Sequence, residues 1–178
     1  LDGSSYLKLS GVELAGRSFT IDLWVYADST SIDYARVIDI VNPNSGYSLL
    51  SLRKRNQYLD VWYTSSADAS SSNGTVVSTQ YTSVGQRVHV RLVYNPITQY
   101  LFFCINGNSN SSYIGTSYLF SRQAFDVYVG GNSGGVRLLK GAVDELCIYD
   151  GLALANSFTP PDSSFYETHE FWTDAIRM

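Results

Sequence analysis

The chain has 178 residues, and its 44% hydrophobic and 14% aromatic content is enough to fill one core, so disorder over its whole length is not expected. A net charge of −4 argues against a phosphate-tracking surface, because nucleic-acid affinity rests on Lys and Arg displacing counterions, so nucleic acid is not an expected partner. No apolar run approaches the ~18 to 20 residues that span a bilayer, and the start lacks the order of a signal peptide, so membrane insertion is not expected.

Leu1-Asp2-Gly3 leads directly into strand-like sequence, which predicts a piece cut from a longer parent. From there, Val, Ile, Tyr, Phe and Thr alternate with polar residues, and Gly, Asn, Ser and Pro clusters interrupt them. Strands are predicted at 5–9, 19–27 and 36–41. Residues 47–64 read as a hairpin around Lys54-Arg55-Asn56-Gln57, with Leu50, Leu52, Leu59, Val61 and Tyr63 inward and Tyr47, Ser51, Arg53, Tyr58, Asp60 and Trp62 outward, since strand side chains have period two.

A strand at 75–79 follows. A second hairpin spans 87–105, with Val88, Val90, Leu92, Tyr94, Leu101, Phe103 and Ile105 inward and His89, Arg91, Phe102 and Cys104 outward. Strands at 125–130 and 142–149 complete an all-β pattern of about a dozen short strands, the usual content of a double-sheet architecture. Residues 64–74 and 106–117 read as long polar connections at a rim. The domain is placed at 1–158. The tail, 159–178, reads as a linker into a following domain or a short helix carrying Phe165, Phe171 and Trp172.

Four segments carry a family resemblance: LDGSSYLKL at 1–9, FTIDLWVYAD at 19–28, VGQRVHVRLVYNPITQYLFFCINGN at 84–108, and FDVYVGGNSGGVRLLKGAVDELCIYDGLAL at 125–154. In this order and spacing they resemble the laminin G-like modules of the concanavalin A-like lectin/glucanase superfamily. The resemblance implies a two-sheet antiparallel β-sandwich, or jelly roll, with one concave sheet, used for carbohydrate binding or adhesion. It places Trp24 in the core. It also places Cys104 and Cys147 on the outer faces of different sheets, so that free thiols are expected rather than the alternative disulfide.

Fold alone does not decide function. Relatives that cleave glucans use paired carboxylates, and glycoside hydrolysis generally needs two of them ~5 to 9.5 Å apart. This chain has four Glu, at 13, 145, 167 and 170, without the family's Glu-x-Asp-x-x-Glu strand, and Asp60 has no acidic partner in its hairpin. His89 and His169 stand beside no recognisable nucleophile, and the glycines of 130–135 are not followed by a helix that could cradle phosphate. The expectation is that the chain is not an enzyme; the remaining alternative, a glycan hydrolase, would need a second carboxylate within reach of Asp60.

For a ligand, the outward positions Trp62, Asp60, Arg53, Tyr47, Arg91 and His89 mix a flat aromatic with charged groups, a combination that suits a sugar; the alternative is Trp62 packed beneath a loop or the tail. A rim site formed by 64–74, 106–117 and 130–136 is the second choice. For a metal, the resemblance points to Asp144, with Asp2 and a carbonyl of Gly16 or Gly46, holding one structural calcium; the alternative is that Asp144 only bonds turn amides. The expected function is a non-catalytic carbohydrate-binding or adhesion module of a larger surface, secreted or virion protein, hence extracellular. Its partner is a glycan, or, in the rival reading, a protein of an assembly in which the domain is structural.

Overall fold

The structure is a computed structural model and describes residues 1–14, 17–64, 74–78, 84–114, 124–154, 158–159 and 175–177, with the backbone alone considered at 74–78 and 175–177. These residues form β1 (Leu7–Glu13), β2 (Phe19–Ala27), β3 (Arg36–Val41), β4 (Ser48–Arg55), β5 (Tyr58–Thr64), β6 (Gly74–Ser78), β7 (Arg87–Asn95), β8 (Tyr100–Ile105), β9 (Asn108–Tyr113), β10 (Ala124–Val129), β11 (Gly141–Asp150) and β12 (Ala175–Arg177). They pair into two six-stranded sheets. The first runs β1-β10-β3-β4-β5-β6 and the second β12-β11-β2-β7-β8-β9, with all neighbours antiparallel. This is the all-β sandwich that the resemblance implies.

The core lies between the sheets. Leu50, Leu52, Leu59, Val61 and Tyr63 from the first hairpin meet Val88, Val90, Leu92, Tyr94, Leu101, Phe103 and Ile105 from the second, joined by Phe19, Ile21, Leu23 and Val25 of β2. Alternation in the sequence therefore reads correctly as an inward face in both hairpins. A fully buried Leu or Phe side chain contributes about 1.5–3 kcal/mol by the area it removes from water, so this set supplies much of the drive to fold.

Two elements differ from expectation. Residues 108–113, inside the stretch read as a polar loop, form β9 and pair with β8 along its length. Asn106 (φ 49°) and Gly107 (φ 81°) make the two-residue turn between them, the Asn-Gly pair whose positive φ angles match the twist of a hairpin. Ala175–Arg177, in the stretch read as a helix or linker, form β12 against β11. The rest of that stretch, from 160 to 174, lies outside the described residues, as do 65–73 of the first polar connection and 115–117 of the second.

At the seam of the second sheet Gly141 has φ 147°, and a Cβ there would stand 1.9 Å from the Tyr26 carbonyl oxygen, so only glycine lets β11 start this close to β2. The Leu1 ammonium and carbonyl bond the Gly141 carbonyl and N–H, each at 2.9 Å.

Candidate functional site

The six residues expected to bind a ligand do not meet. Arg53, Asp60 and Trp62 lie on the outer face of the first sheet and Tyr47, 54% exposed, stands at the head of β4, whereas His89 and Arg91 lie on the outer face of the second sheet. The two hairpins join opposite sheets, so their outward faces point away from each other and one ligand site cannot use both.

Outward does not mean exposed on the first sheet. Asp39, Ser51 and Trp62 form one cross-strand row, with Arg36, Arg53 and Asp60 in the next. Asp39, Ser51 and Asp60 are fully buried, and Trp62 is half-buried. Arg53 grips Asp60 with two bonds, Nε to Oδ1 at 2.7 Å and Nη2 to Oδ2 at 3.0 Å, the bidentate geometry that makes guanidinium–carboxylate pairs strong; Arg55 adds an Nη1 contact at 3.7 Å. Asp39 accepts from the Ser48 and Ser51 hydroxyls and lies 3.8 Å from Arg36 Nε. Burial pushes the Asp39 carboxyl above the ordinary carboxylate range, against the pull of Arg36 and the two serines. Asp39 is thus a second acid on the face that carries Asp60, two strands away. Both carboxylates are already engaged with protein groups, and neither is poised as the free member of a hydrolytic pair.

On the second sheet the charges are stacked and covered. Asp22 takes Arg91 on Oδ2, from Nε at 3.1 Å and Nη2 at 2.6 Å. Its Oδ1 lies 3.0 Å from His89 Nε2. Trp24 meets the His89 ring edge-on at 5.1 Å, the Arg87 guanidinium lies 4.5 Å from the Trp24 ring centroid, and Asp144 lies 3.4 Å from Arg87 Nη2. Trp24 therefore sits outside the core, half-buried in this stack, contrary to the position the resemblance implies. Its alternation with Ile21, Leu23 and Val25 already points it outward.

Phe158 closes the stack. Its ring is 5.1 Å from the His89 ring and 3.8 Å from the Arg91 guanidinium carbon. Thr20 Oγ1 pins the covering segment by donating to the Leu152 carbonyl at 2.9 Å and accepting from the Leu154 N–H at 3.0 Å. His89 is fully buried, and neither it nor Arg91 offers an open ligand surface.

The two cysteines are unbridged, as expected, but share the second sheet. Cys104, Arg91, Asp22 and Cys147 follow one another across β8, β7, β2 and β11, three strand spacings or roughly 14 Å from thiol to thiol along the row. That correction arises because β8 and β11 lie in the same sheet. Burial pushes the Cys104 thiol up to about 12, so it remains protonated and is no nucleophile.

Of the residues read as a calcium site, Asp2, Asp144 and Gly46 each have a partner within the protein. Asp2 Oδ1 accepts from the N–H and hydroxyl of Ser4, Asp144 is 65% exposed with a guanidinium before it, and the Gly46 carbonyl accepts from the Ser133 hydroxyl. Gly16 lies outside the described residues. Among the described residues no three His, Cys, Asp or Glu stand close enough together to hold a metal ion.

Among the described residues there is also a groove that no residue pattern announced as a whole. It lies on the outer face of the second sheet, between β9 and the covering segment, with a volume of about 430 Å³. Val93, Tyr100 and Phe102 form its floor, Ala153 and Leu154 one wall, and Asn95, Thr98 and Ser111 its polar edge. Tyr100 and Phe102 are 6.1 Å apart at 31°, and Tyr113, 60% exposed, packs edge-on against Tyr100 at 5.6 Å. Phe102 was legible as an outward aromatic. Tyr113 and Ser111 became visible as partners only once β9 was recognised as a strand.

The family described as the concanavalin A-like lectin/glucanases superfamily matches residues 1–156. A search of curated proteins finds no match to the sequence. Among solved structures, domain 4 of AbnA, a GH43 extracellular arabinanase from Geobacillus stearothermophilus, in complex with arabinotriose, is similar with a TM-score of 0.63 at 22% identity, covering 88% of this chain and 71% of that one. The heptameric SAP-like pentraxin of Limulus polyphemus matches with a TM-score of 0.57 at 17% identity, over 85% and 71% of the two chains. A family 7 alginate lyase, A1-II', in complex with substrate, matches at 0.58 and 12% identity, over 85% and 72%. At these identities the likeness concerns the fold, which binding domains and glycan-active enzymes share.

Proposed function

The chain belongs to the concanavalin A-like lectin/glucanase superfamily, and on that premise we propose that it is a non-catalytic carbohydrate-binding module whose sugar lies in the groove over Tyr100 and Phe102. The single observation that carries this reading is the lining of the groove. Two aromatic side chains offer π faces to the C–H face of a pyranose or furanose ring, and Asn95, Thr98 and Ser111 at the edge offer amide and hydroxyl groups to its hydroxyls. A site of a few hundred Å³ with apolar walls and few polar groups is the ordinary form of a small-ligand pocket.

None of the groove's described lining residues is a carboxylate, histidine, lysine or arginine, which supports a neutral sugar as its ligand. Structural neighbours that carry arabinotriose or a lyase substrate support saccharide recognition on this fold. On this reading the parent is a surface, secreted or virion protein that uses the module to hold a glycan.

A glycan array with the folded chain, repeated with Phe102→Ala, Tyr100→Ala and Trp62→Ala, tests it. The expected result is binding to a neutral oligosaccharide that weakens about tenfold or more in the two groove variants, the loss of ~1.4 kcal/mol, and is unchanged in Trp62→Ala. Silence across the array with the fold intact would transfer the exposed aromatics to the rival reading, a contact surface for a protein of an assembly.

A further inference from the structure

Val93, Asn95, Tyr100, Phe102 and Ser111 are placed around the groove by the ladders of β7, β8 and β9, whereas Ala153 and Leu154, its wall, belong to no strand. A groove has a definite width only if each wall has a definite position. What places this wall therefore bears on what the groove can hold.

The chain reaches the wall through a sharp change of direction. β11 ends at Asp150, opposite Phe19 of β2, and Gly151 follows with φ 76°, in the left-handed region that glycine enters without strain. Leu152 is then 45% exposed and Ala153 and Leu154 are half-buried, so apolar burial alone anchors the segment weakly.

The anchor is polar and comes from β2. Thr20 stands in the cross-strand row Tyr149, Thr20, Val93, Phe102, Ser111, the row that also supplies part of the groove's floor and edge. Its side chain points outward, since it alternates with Phe19 and Ile21 of the core, yet it is fully buried. A buried hydroxyl has to find its partners inside the protein, and this one uses both its capacities on the wall. It donates to the Leu152 carbonyl at 2.9 Å and accepts from the Leu154 N–H at 3.0 Å. The two bonds grip the chain on either side of Ala153, as a neighbouring strand would. Branching at Cβ limits the rotamers of Thr20, which keeps the hydroxyl aimed.

From this double bond to one hydroxyl, we infer that Thr20 is a positioning residue of the groove. It is not one of the lining residues, and acts through Ala153 and Leu154 by setting the gap between the wall and the Tyr100 and Phe102 floor. That gap decides how closely a ring lying on the floor is held at its side. The consequence for a ligand rests on the reading of the groove as a sugar site; the placement of the wall does not.

Two variants separate the hydroxyl from the bulk of the side chain. Thr20→Val keeps the shape and removes both bonds, whereas Thr20→Ser keeps the hydroxyl and removes the methyl group. In Thr20→Val the Leu154 N–H should exchange with solvent about tenfold faster or more, and the methyl resonances of Ala153 and Leu154 should move toward random-coil positions, while the amide shifts of Leu92 and Phe103 stay in place. Thr20→Ser should restore the wild-type pattern. Binding is read in parallel with maltotriose, cellotriose and xylotriose. A trisaccharide held by the wild type should be held about fivefold more weakly by Thr20→Val and within about twofold by Thr20→Ser. A role in packing alone would give the opposite order, because valine keeps the bulk that serine loses.

Wild-type exchange and methyl positions in Thr20→Val would show that the wall stands without the hydroxyl and overturn the inference, whatever the sugars do. A wall that moves while binding stays within twofold overturns it as well. If the wild type holds none of the three sugars, that counts against the groove as a sugar site, and the exchange and methyl data still decide whether Thr20 places the wall. Should Thr20→Val not fold, the wild-type chain remains decisive: a Leu154 N–H that exchanges at its unstructured rate makes no lasting bond to Thr20, and the inference fails.

Discussion

On the first sheet Asp60 is gripped by Arg53 of the adjacent strand and Asp39 lies beside Arg36 of its own strand, whereas on the second sheet a single carboxylate, Asp22, lies against both Arg91 and His89 and is roofed by the chain's own Phe158. The first face is closed by side chains of the strands themselves. The second is covered by Phe158 and bordered by Ala153 and Leu154, and among the described residues an aromatic groove lies between these and β9. Charge on the outer face of a sheet therefore has two structural fates, and only its partners distinguish a surface that can receive a ligand from one already filled.

The comparison can be broken most forcefully at Arg53. Arg53→Ala should leave Asp60 buried without its bidentate partner, at a cost of about 3–5 kcal/mol, and lower the melting temperature by on the order of 10 °C in thermal denaturation. Arg91→Ala should cost roughly half as much, because His89 remains 3.0 Å from Asp22; equal losses would show that the two faces are held in the same way.

Phe158→Ala removes the cover and should cost about 1–2 kcal/mol through lost cation–π and ring contact, while making the His89 ring newly accessible to chemical modification. If His89 stays protected, something other than Phe158 seals that face. The smallest effect is one of slope. The folded chain holds the Asp39 proton more tightly than the unfolded chain, so the associated stability is complete below pH 3.8 and is lost as pH rises through the higher folded value. In a melting series from pH 3 upward, wild type minus Asp39→Asn should decline with pH; a flat difference would place Asp39 outside the titrating network.

Much of this was readable in advance where one face of a strand must be apolar. Leu50 and Leu52 against Leu59, Val61 and Tyr63 determine both the register of the first hairpin and its inward face. The assignment of His89 and Arg91 to the same site as Trp62 went astray because period two tells which way a side chain points within its strand, not which sheet the strand joins. Asp60 was correctly outward but wrongly open, since burial depends on what lies across a face. β9 carries Asn and Ser with no apolar alternation, and the Asn106-Gly107 turn was its one local signal. The groove combines β7, β8 and β9 with residues 153–154, and no spacing along the chain reports such a meeting.

The strand order also has a consequence for how the molecule is made. β2 lies between β7 and β11, and β3 between β4 and β10, so a central strand of each sheet waits for a partner encoded late in the chain. With synthesis at about 5–20 residues per second, Leu23 precedes its neighbours in β11 by on the order of ten seconds. During that interval the nascent chain carries unpaired apolar strands, and the long-range pairing that finally completes the sandwich places its folding among the slow topologies, roughly milliseconds to seconds even once release is complete.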